Sequence, residues 1–565
     1  LDEAVVAYRR ALELDPGFAA AAANLGAALR LQGKAAEAIA AYRRAVAANP
    51  NLAELHYNLG IALEDDGRRE EAIAAYHRAL AIAPDFAAAH NNLGQALRAD
   101  GMLSEAIEHY RQVLSTAPDA DTCNNLGNAL IDQMRFDEAF EAFDRSLELD
   151  PESASGHSNR LFAMHYLPSV DAHELFAAHR AWAERHAARF ASGAARARRA
   201  PDATRRLRIG YVSPDFRTHS VAYFIEPILE CHDRDAFEIC CYADVRHADA
   251  TTRRLQRLAD HWRDIVRMDD DRVCEQIRAD GIDILVDLAG HTANNRLLVF
   301  ARRAAPVQVT YLGYPDTTGL ETMDYRLTDA LADPPGESDR LHSETLVRLP
   351  GFLCYRPSPD APAVGAPPTA ASGHVMFASF NNCAKINDAV VQAWAEILRE
   401  RGDARLLLKA RSLADADTRQ RLWRSFARHG IEAERVELLP PAATAHAHLA
   451  LYRRADVALD PFPYNGATTT CEALWMGVPV VCLAGDRHAG RVGHSLLARA
   501  GLPELVAATT HEYVERAVAL ADDRNRLEAL RSTLRERLLG SALTNARRFT
   551  ADLEDSYRRM AERCS

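Results

Sequence analysis

The spacing of apolar residues divides the chain into two parts. Up to about residue 170, alanines, leucines and aromatic residues recur three or four positions apart, and short turns containing glycine or proline interrupt them. Beyond residue 206, short runs rich in Val, Ile and Leu alternate with longer helical patterns. The first pattern predicts an all-helical region, and the second predicts strands that alternate with helices around parallel sheets.

The helical region is a repeat array. The tripeptide Asn-Leu-Gly and a closing proline both recur every 34 residues, with one step of 33 in each series. The tripeptides begin at Asn24, Asn58, Asn92 and Asn125, and the prolines are Pro16, Pro50, Pro84, Pro118 and Pro151. This period and composition resemble tetratricopeptide repeats, in which each unit is a pair of helices. We therefore predict repeats over residues 1–170, with a less regular terminal unit that starts near Asn159.

The repeated glycines and asparagines have different predicted roles. Paired helices approach closely only where side chains are small, so we interpret the glycines as packing residues. They are Gly26, Gly60, Gly94 and Gly127. The asparagines could form a ladder that grips the backbone of a polypeptide along the groove of the array, since an amide both donates and accepts hydrogen bonds. The alternative is that each asparagine bonds only to a neighbouring helix.

The remaining sequence predicts two doubly wound α/β halves. A helical and then basic linker is expected over residues 171–205, followed by one half over 206–365 and a second over 373–565. Two such sheets that face each other across a cleft form the architecture called GT-B. The predicted strands are 207–213, 237–242, 282–288 and 307–312 in the first half, and 375–380, 404–409, 435–439, 456–459 and 478–483 in the second.

The stretch 457–481 contains the strongest candidate for chemistry. It predicts a strand, a turn at Asn465 and Gly466, and a helix that begins at Thr468, Thr469 and Thr470. The threonines could cap this helix, while its first N–H groups stay free to bind an anion. These features favour a site for a diphosphate. The alternative is an ordinary crossover helix of an α/β domain.

Loops that follow predicted strands are where open α/β sheets place their ligands. His219 follows the first strand of the first half, and Lys385 follows the first strand of the second half. A lysine ammonium there would suit a negatively charged leaving group. A single histidine is more often structural, and a single loop lysine is usually only solvated, so each residue also has an ordinary interpretation.

Composition limits the possible partners and location. The chain has 79 acidic and 67 basic residues and a net charge of −12, which gives no general electrostatic support for nucleic-acid binding. Its ten cysteines lack paired Cys-x-x-Cys spacing, which argues against a zinc site or a disulfide framework. No run is long and apolar enough to cross a bilayer, and no signal peptide is seen. We expect a cytoplasmic protein with no membrane partner, and the start within a helical pattern at Leu1 allows for a natural chain that extends further.

The combination of motifs resembles one family. Tetratricopeptide repeats precede Gly-Tyr-Val-Ser-Pro-Asp-Phe-Arg-Thr-His at 210–219, Leu-Gly-Tyr-Pro-Asp-Thr-Thr-Gly at 312–319, Phe-Asn-Asn-Cys-Ala-Lys at 380–385 and Asn-Gly-Ala-Thr-Thr-Thr at 465–470. Together they resemble the O-GlcNAc transferases of glycosyltransferase family 41, including bacterial and SPINDLY-like members. The resemblance implies an inverting, metal-independent transfer of GlcNAc from UDP-GlcNAc to Ser or Thr hydroxyls of proteins. It also implies that the acceptor polypeptide threads along the repeats, that UDP is the product, and that no cofactor is needed.

The same resemblance suggests roles for individual residues. Lys385 would contact the donor diphosphate, with Asn382 near the phosphates, and Thr468 and Thr469 would meet the β-phosphate. His219 would line the sugar and acceptor site.

Further expectations concern the base, the ribose and the sugar. His448 would lie against the uracil ring, and Pro315 would flank the donor sugar. Two positions depart from the animal members of the family, which have histidine at the position of Ala467 and aspartate at that of Glu472. Glu472 could still accept hydrogen bonds from ribose hydroxyls.

Three questions stay open at this stage. The general base could be His219, Asp280, or a water chain to the donor phosphate. We predict no metal, because the clearest acidic run, 269–271, lies between a strand and a helix and not in a cleft loop. The alternatives to UDP-GlcNAc transfer are a SPINDLY-like transfer of fucose from GDP-fucose, and a repeat scaffold whose catalytic half binds nucleotide without turnover.

Overall fold

The computed structural model describes residues 1–191 and 205–564. Its contacts divide the chain into two compact units, Leu1–Pro151 and Glu152–Ser565. The basic part of the predicted linker, including Ser192, Gly193 and Arg196, lies outside the described residues.

The first unit is helical throughout, as predicted. Consecutive helices pack against each other, and a glycine and an aromatic residue recur at the contact within each pair. The helices are α1 (Asp2–Leu14), α2 (Ala19–Leu31), α3 (Ala35–Ala48), α4 (Ala53–Asp65), α5 (Arg69–Ile82), α6 (Ala87–Asp100), α7 (Leu103–Thr116), α8 (Ala120–Asp132) and α9 (Phe136–Leu149).

Packing explains the repeated glycines. A Cβ atom at Gly26 would lie 2.9 Å from the ring of Tyr42, and one at Gly94 would lie 2.6 Å from the ring of Tyr110. Gly60 and Gly127 meet aromatic rings of the following helices in the same way. Carbon atoms do not approach so closely without displacement, so each glycine makes room for a buried ring. The prediction that these are packing residues is confirmed.

The repeated asparagines divide between two situations. Asn92 donates to the hydroxyl of Tyr57 at 3.4 Å, and Asn125 donates to the Asn91 amide oxygen at 3.1 Å. Asn24 is exposed and Asn58 half-buried, and neither has a side-chain hydrogen bond among the described residues. A polypeptide ladder therefore stays a prediction, with two positions already used between helices.

The second unit begins with helices that the sequence assigned to the repeats and the linker. Helix α10 (Ala154–Met164) and helix α11 (Ala172–His186) bury Leu161, Leu175 and Trp182. Trp182 belongs to the same apolar core as residues of the first sheet. These two helices are thus structural parts of the second unit.

Two parallel sheets form the rest of this unit. The seven-stranded sheet has the order β3-β2-β1-β4-β5-β6-β7, and the six-stranded sheet has the order β10-β9-β8-β11-β12-β13. The strands are β1 (Leu207–Ser213), β2 (Phe237–Ala243), β3 (His261–Asp264), β4 (Ile284–Asp287), β5 (Val307–Thr310), β6 (Tyr325–Thr328), β7 (Thr345–Arg348), β8 (Met376–Ser379), β9 (Arg405–Lys409), β10 (Val436–Leu439), β11 (Val457–Leu459), β12 (Val480–Leu483) and β13 (Val506–Ala507).

Helices cover the sheets, as expected for doubly wound folds. They are α12 (Ala188–Ala191), α13 (Ala222–Cys231), α14 (Ala250–Gln256), α15 (Asp270–Asp280), α16 (Leu297–Ala301), α17 (Thr369–Ser372), α18 (Asp388–Glu400), α19 (Ala416–Ala427), α20 (Ala445–Leu451), α21 (Thr468–Trp475), α22 (Val492–Arg499), α23 (Thr510–Asp522), α24 (Arg524–Leu539) and α25 (Ala546–Cys564). The predicted fold class, helical repeats followed by two Rossmann-like halves of GT-B type, is confirmed.

The last helix departs from the predicted division of the chain. Helix α25 follows the second half in sequence but packs on the first sheet, where Leu553 and Tyr557 join its core. The hydroxyls of Tyr557 and Tyr211 of β1 lie 3.3 Å apart. Glu554 accepts a hydrogen bond from His232 at 2.9 Å. The C-terminal segment therefore completes the first half.

Candidate active site

A cavity of about 530 Å³ lies between the two halves, at the carboxyl ends of their strands. Parallel sheets place ligands at this edge because the loops and helix starts that follow the strands converge there. Residues from both halves and from α10 line the cavity. Seven predicted site residues line it: His219, Pro315, Asn382, Lys385, Asn465, Thr468 and Thr469.

The second half contributes the turn before α21. The helix N-cap is Ala467, which provides no side-chain hydrogen bond to the helix start. The threonines therefore do not cap the helix, contrary to prediction: Thr469 donates to the Asn381 amide oxygen at 3.1 Å, and Thr470 donates to the Gly466 carbonyl at 3.2 Å. An uncapped helix start with free N–H groups beside a cavity can bind an anion.

The turn itself is fixed by its own polar groups. Asn465 donates to the Pro461 carbonyl at 3.0 Å and accepts from the Gly493 N–H at 3.2 Å. Asp460 accepts from the Gly466 N–H at 2.7 Å. A side chain at Gly466 would collide with the amide oxygen of Asn381 and the carboxylate of Asp460, each 2.9 Å from its Cβ position. Asn465 and Gly466 therefore shape the site.

Lys385 lies half-buried beside this turn. Its Nζ donates to the Asn465 carbonyl at 2.7 Å and lies 3.8 Å from the centre of the Tyr464 ring. Burial lowers the pKa of Lys385, opposed by the nearby Asp460. Burial likewise raises the pKa of Asp460. One oxygen of Asp460, Oδ2, has no hydrogen-bond partner among the described residues. A desolvated ammonium next to an uncapped helix start suits a diphosphate.

The predicted contacts to base and ribose form a network beside the cavity. His448 Nε2 lies 2.9 Å from a Glu472 carboxylate oxygen, and its Nδ1 lies 2.8 Å from Nζ of Lys409. Because an ammonium only donates, Nδ1 accepts and Nε2 carries the proton that Glu472 accepts. Sequence analysis did not select Lys409. This residue is the last of β9, and its position at a strand end is comparable to that of Lys385, which follows β8. Glu472 and His448 lie near the site but do not line this cavity.

The first half contributes the loop after β1. His219 is partly exposed, and its Nδ1 accepts from the Val221 N–H at 3.3 Å and lies 3.5 Å from the carboxylate of Asp215. Burial lowers the pKa of His219, opposed by Asp215, and raises the pKa of Asp215. With Nδ1 accepting, a neutral His219 carries its proton on Nε2 and acts there as a donor.

The loop after β5 brings Pro315 to the cavity in a constrained conformation. Leu312 has a φ of 65°, which is uncommon for a residue with a side chain. At Gly313 a Cβ would collide with the Leu288 carbonyl, so no larger residue fits. Both residues line the cavity. Such a backbone persists only where its surroundings hold it firmly.

A buried network supplies that support. The Tyr314 hydroxyl lies 2.9 Å from Nε2 of both His165 and His179. Nδ1 of His179 bonds to the Leu175 carbonyl at 2.7 Å, so its Nε2 accepts from Tyr314, and His165 donates to the hydroxyl. His165, His179 and Asp316 are also the one group of metal-type ligands found within the described residues. Here the tyrosine hydroxyl already engages Nε2 of both histidines, while Nδ1 of His165 has no hydrogen-bond partner among the described residues.

Asp280, one of the predicted candidates for the base, does not line the cavity. It ends α15 and lies at the amino ends of the strands, where Arg208 near the start of β1 donates to its carbonyl at 2.9 Å. Although burial would raise its pKa, hydrogen bonds from Arg263, Tyr242 and Gln276 lower it. A carboxylate held at the opposite edge of the sheet cannot take a proton in the cleft. Asp280 is therefore excluded as the base.

Several cavity residues were not selected from the sequence. They are Phe162, Tyr166, Asp215, Tyr464 and His488. Tyr166 of the segment after α10 stacks on Tyr464, with ring centres 5.6 Å apart and planes 19° apart. Asp215 and Tyr464 lie inside motifs that were recognised, so a closer reading of loops after strands could have found them. Phe162 and Tyr166 carried only a helical core pattern.

Models of known protein families match most of this chain. The model named Glycosyl transferase family 41 matches residues 185–353 and 368–553, and tetratricopeptide models match within residues 7–153. In the described residues, no helix is both long and apolar enough to cross a membrane.

Similar proteins are known from plants and from Thermobaculum terrenum. A probable UDP-N-acetylglucosamine–peptide N-acetylglucosaminyltransferase SPINDLY of Petunia hybrida is 46% identical over 74% of this chain and 45% of its own length. A probable enzyme of the same activity, SEC of Arabidopsis thaliana, is 33% identical over 63% and 37%. The chain thus matches less than half the length of these relatives. A solved structure of a point mutant of Thermobaculum terrenum O-GlcNAc transferase shares 41% identity over 91% of this chain and 98% of that chain, with a TM-score of 0.86.

Proposed function

Because this chain belongs to glycosyl transferase family 41, we propose that it is an inverting protein O-glycosyltransferase that moves GlcNAc from UDP-GlcNAc to Ser or Thr hydroxyls. The observation that carries this proposal is the half-buried Lys385 beside the uncapped start of α21, both on one cavity. Two fixed positive groups at one point fit a diphosphate leaving group. The names of the relatives support GlcNAc as the sugar.

Each half has a distinct task in this proposal. As the bond between sugar and diphosphate breaks, Lys385 and the α21 N-terminus stabilise the charge that develops on UDP. The first half holds the acceptor hydroxyl on the opposite side of the sugar, which gives inversion and lowers the entropic cost of the encounter. Lys385 exchanges its bond to the Asn465 carbonyl for one to the diphosphate.

The acceptor proton needs a destination. Of the three candidates from the sequence, Asp280 is excluded by position, and His219 presents a protonated Nε2 in its neutral form. We propose that His219 orients the sugar or the acceptor, and that the proton leaves by water toward the donor phosphate. Asp215, whose pKa is raised and which lines the cavity, is the nearby carboxylate able to relay it.

We propose that the reaction needs no metal and takes place in the cytoplasm. Asp270 and Asp271 of the acidic run pair with Arg296 at 3.0 Å and with Arg302 at 2.7 Å, respectively. The nine cysteines whose side chains the structure describes are free thiols, which suits a reducing compartment. Polypeptide binding along the repeats is part of the same proposal.

The absence of a metal requirement can be tested with a chelator. A chelator should leave the transfer rate unchanged, whereas a metal-dependent enzyme would lose activity.

The decisive test is transfer of radiolabelled GlcNAc from UDP-GlcNAc into lysate proteins, with GDP-fucose in a parallel reaction. Transfer from UDP-GlcNAc alone supports the proposal. Transfer from GDP-fucose alone, or displacement of bound UDP by GDP at comparable concentration, would replace the donor. Nucleotide binding without transfer of either sugar would indicate an inactive scaffold.

The second test separates the two halves of the cavity. His219→Ala should impair transfer more than UDP binding, because His219 comes from the half opposite the nucleotide. Removal of one preorganised hydrogen-bond donor typically costs about 10²–10³-fold in rate. Equal losses in transfer and in UDP affinity would instead indicate a donor-binding role.

A further inference from the structure

A second histidine faces the cavity in an arrangement that the mechanism above does not use. His488 follows β12, in the 3-10 helix His488–Gly490. Its Nδ1 lies 2.7 Å from a carboxylate oxygen of Asp333, which belongs to the first half. The side chain is 3% exposed and lines the cavity. Its other nitrogen, Nε2, has no hydrogen-bond partner among the residues that the structure describes.

Asp333 is held so that it can only accept. Thr328 donates to the same carboxylate, and Arg348 donates to the Asp333 carbonyl at 2.7 Å. Burial would raise the pKa of Asp333, but His488, with His342 and Arg326, holds it well below its ordinary value. An ionised carboxylate fixes the His488 tautomer and ring orientation, as a carboxylate does for a catalytic histidine. The free Nε2 is therefore the atom presented to the cavity.

The backbone around His488 is fixed to the diphosphate turn. The Asn465 N–H donates to the carbonyl of Ala489 at 2.9 Å. A side chain at Gly490 would lie 2.7 Å from the Pro463 carbonyl, so the two loops are in close contact. The Phe352 ring from the first half packs edge-on to the imidazole, with ring centres 5.1 Å apart. A group in this position lies next to the diphosphate site, where the sugar of a nucleotide sugar extends.

The chemistry of the exposed nitrogen selects its ligand. In a neutral ring Nε2 accepts a hydrogen bond, and in a charged ring it donates one. A hydroxyl matches both states because it donates and accepts. Resting on the proposed function, we propose that His488, positioned by Asp333, binds a hydroxyl of the donor sugar and helps to determine which sugar is accepted.

The test compares affinities for UDP and UDP-GlcNAc in the intact chain by calorimetry. UDP lacks the sugar, so His488→Ala should leave UDP affinity near wild type and reduce UDP-GlcNAc affinity about 2- to 100-fold, the range from a neutral hydrogen bond to one with a charged group. Asp333→Asn should cause a smaller change of the same kind. His494→Ala, on α22 and outside the cavity lining, is the matched control and should bind both ligands as wild type does.

Monodeoxy analogues of UDP-GlcNAc identify the hydroxyl and need only the wild-type chain if the variant does not fold. One analogue should bind wild type as weakly as UDP-GlcNAc binds His488→Ala, and that analogue should be insensitive to the substitution. Three results would each overturn the assignment. They are equal binding of all analogues, an unchanged ratio of the UDP and UDP-GlcNAc affinities in His488→Ala, and slower transfer by this variant with unchanged donor affinity. Failure of the proposed function appears separately, in wild type, and the comparison can then be made with whichever nucleotide sugar wild type binds.

Discussion

The glycines of the repeat array and the glycine of the diphosphate turn both stand where a side chain would collide with a neighbour, but the neighbours differ. At Gly94 the neighbour is the carbon ring of Tyr110, whereas at Gly466 it is a set of oxygens from Asn381, Asp460 and Thr469. In the array the small residue lets apolar surfaces close completely. In the cleft it lets polar groups converge around space that stays open. The same residue type thus serves stability in one unit and binding in the other.

The largest expected effect is on the cleft side of this comparison. Lys385→Ala should lower turnover by roughly 10²-fold or more, because it removes a preorganised positive charge from the leaving group. The fold should persist, as judged by an unchanged melting profile. Lys34→Ala removes an exposed charge from the array and should not change turnover. Turnover of the Lys385 variant within a few-fold of wild type would refute the role.

The next effect is on the array. Gly94→Val should destabilise the first unit by about 1–3 kcal/mol, because the added carbons collide with a fully buried ring. Gly17→Val is the matched control, since Gly17 is exposed and the nearest atom to its Cβ position is 3.5 Å away. Denaturant unfolding measures both, and UDP affinity should not change in either. Equal stability of the two variants would mean that the ring can move aside.

A smaller effect tests the charge of Lys385 itself. Burial lowers the pKa of Lys385. Its ammonium therefore loses the proton at a lower pH than that of an ordinary lysine, whose pKa is about 10.4. UDP affinity should therefore fall as the pH rises from the lowered pKa of Lys385 toward about 10.4. The expected fall is up to about tenfold for each pH unit in this range. UDP itself titrates in the same way when it binds to Lys385→Gln, so this variant should show a flatter dependence of UDP affinity on pH. Parallel profiles for the two proteins would assign the pH dependence to UDP alone.

The smallest effects concern the asparagines. Asn92→Ala with Asn125→Ala should cost about 0.5–1.5 kcal/mol of stability per hydrogen bond lost, because both amides bond within the array. Asn24→Ala with Asn58→Ala should leave stability unchanged and weaken binding of long protein acceptors. If the second pair leaves acceptor binding and transfer at wild-type levels, the ladder does not grip polypeptide.

Sequence patterns were most informative where one element carries the whole signal. The 34-residue period, the helix that begins at Thr468 and the apolar strands β1, β4 and β8 are all local features. Four strands were missed. Strands β3, β6 and β7 have four residues each and contain charged side chains, and β13 has only two residues, so none of them shows a long apolar run. The pairing of His488 with Asp333, 155 residues apart, exists only after both halves have folded.

The error at Asp280 has a different origin. A carboxylate near a strand can lie at either edge of a sheet, and only the direction of the strand decides which. Asp280 precedes β4, whereas Asp215 follows β1, so the first lies at the amino edge and the second at the carboxyl edge. Strand direction was readable from the sequence here and would have favoured Asp215.

The return of α25 to the first sheet means that the polypeptide crosses between the two halves twice. The first crossing is the passage from Pro357 to Gly373, and the second follows α24, where the Tyr355 N–H donates to the Leu543 carbonyl at 2.7 Å. A protease that nicks the first crossing would therefore yield two fragments on a denaturing gel but a single species in native chromatography. Removal of the last nineteen-residue helix, Ala546–Cys564, would instead leave the first half with an uncovered apolar face and a propensity to aggregate.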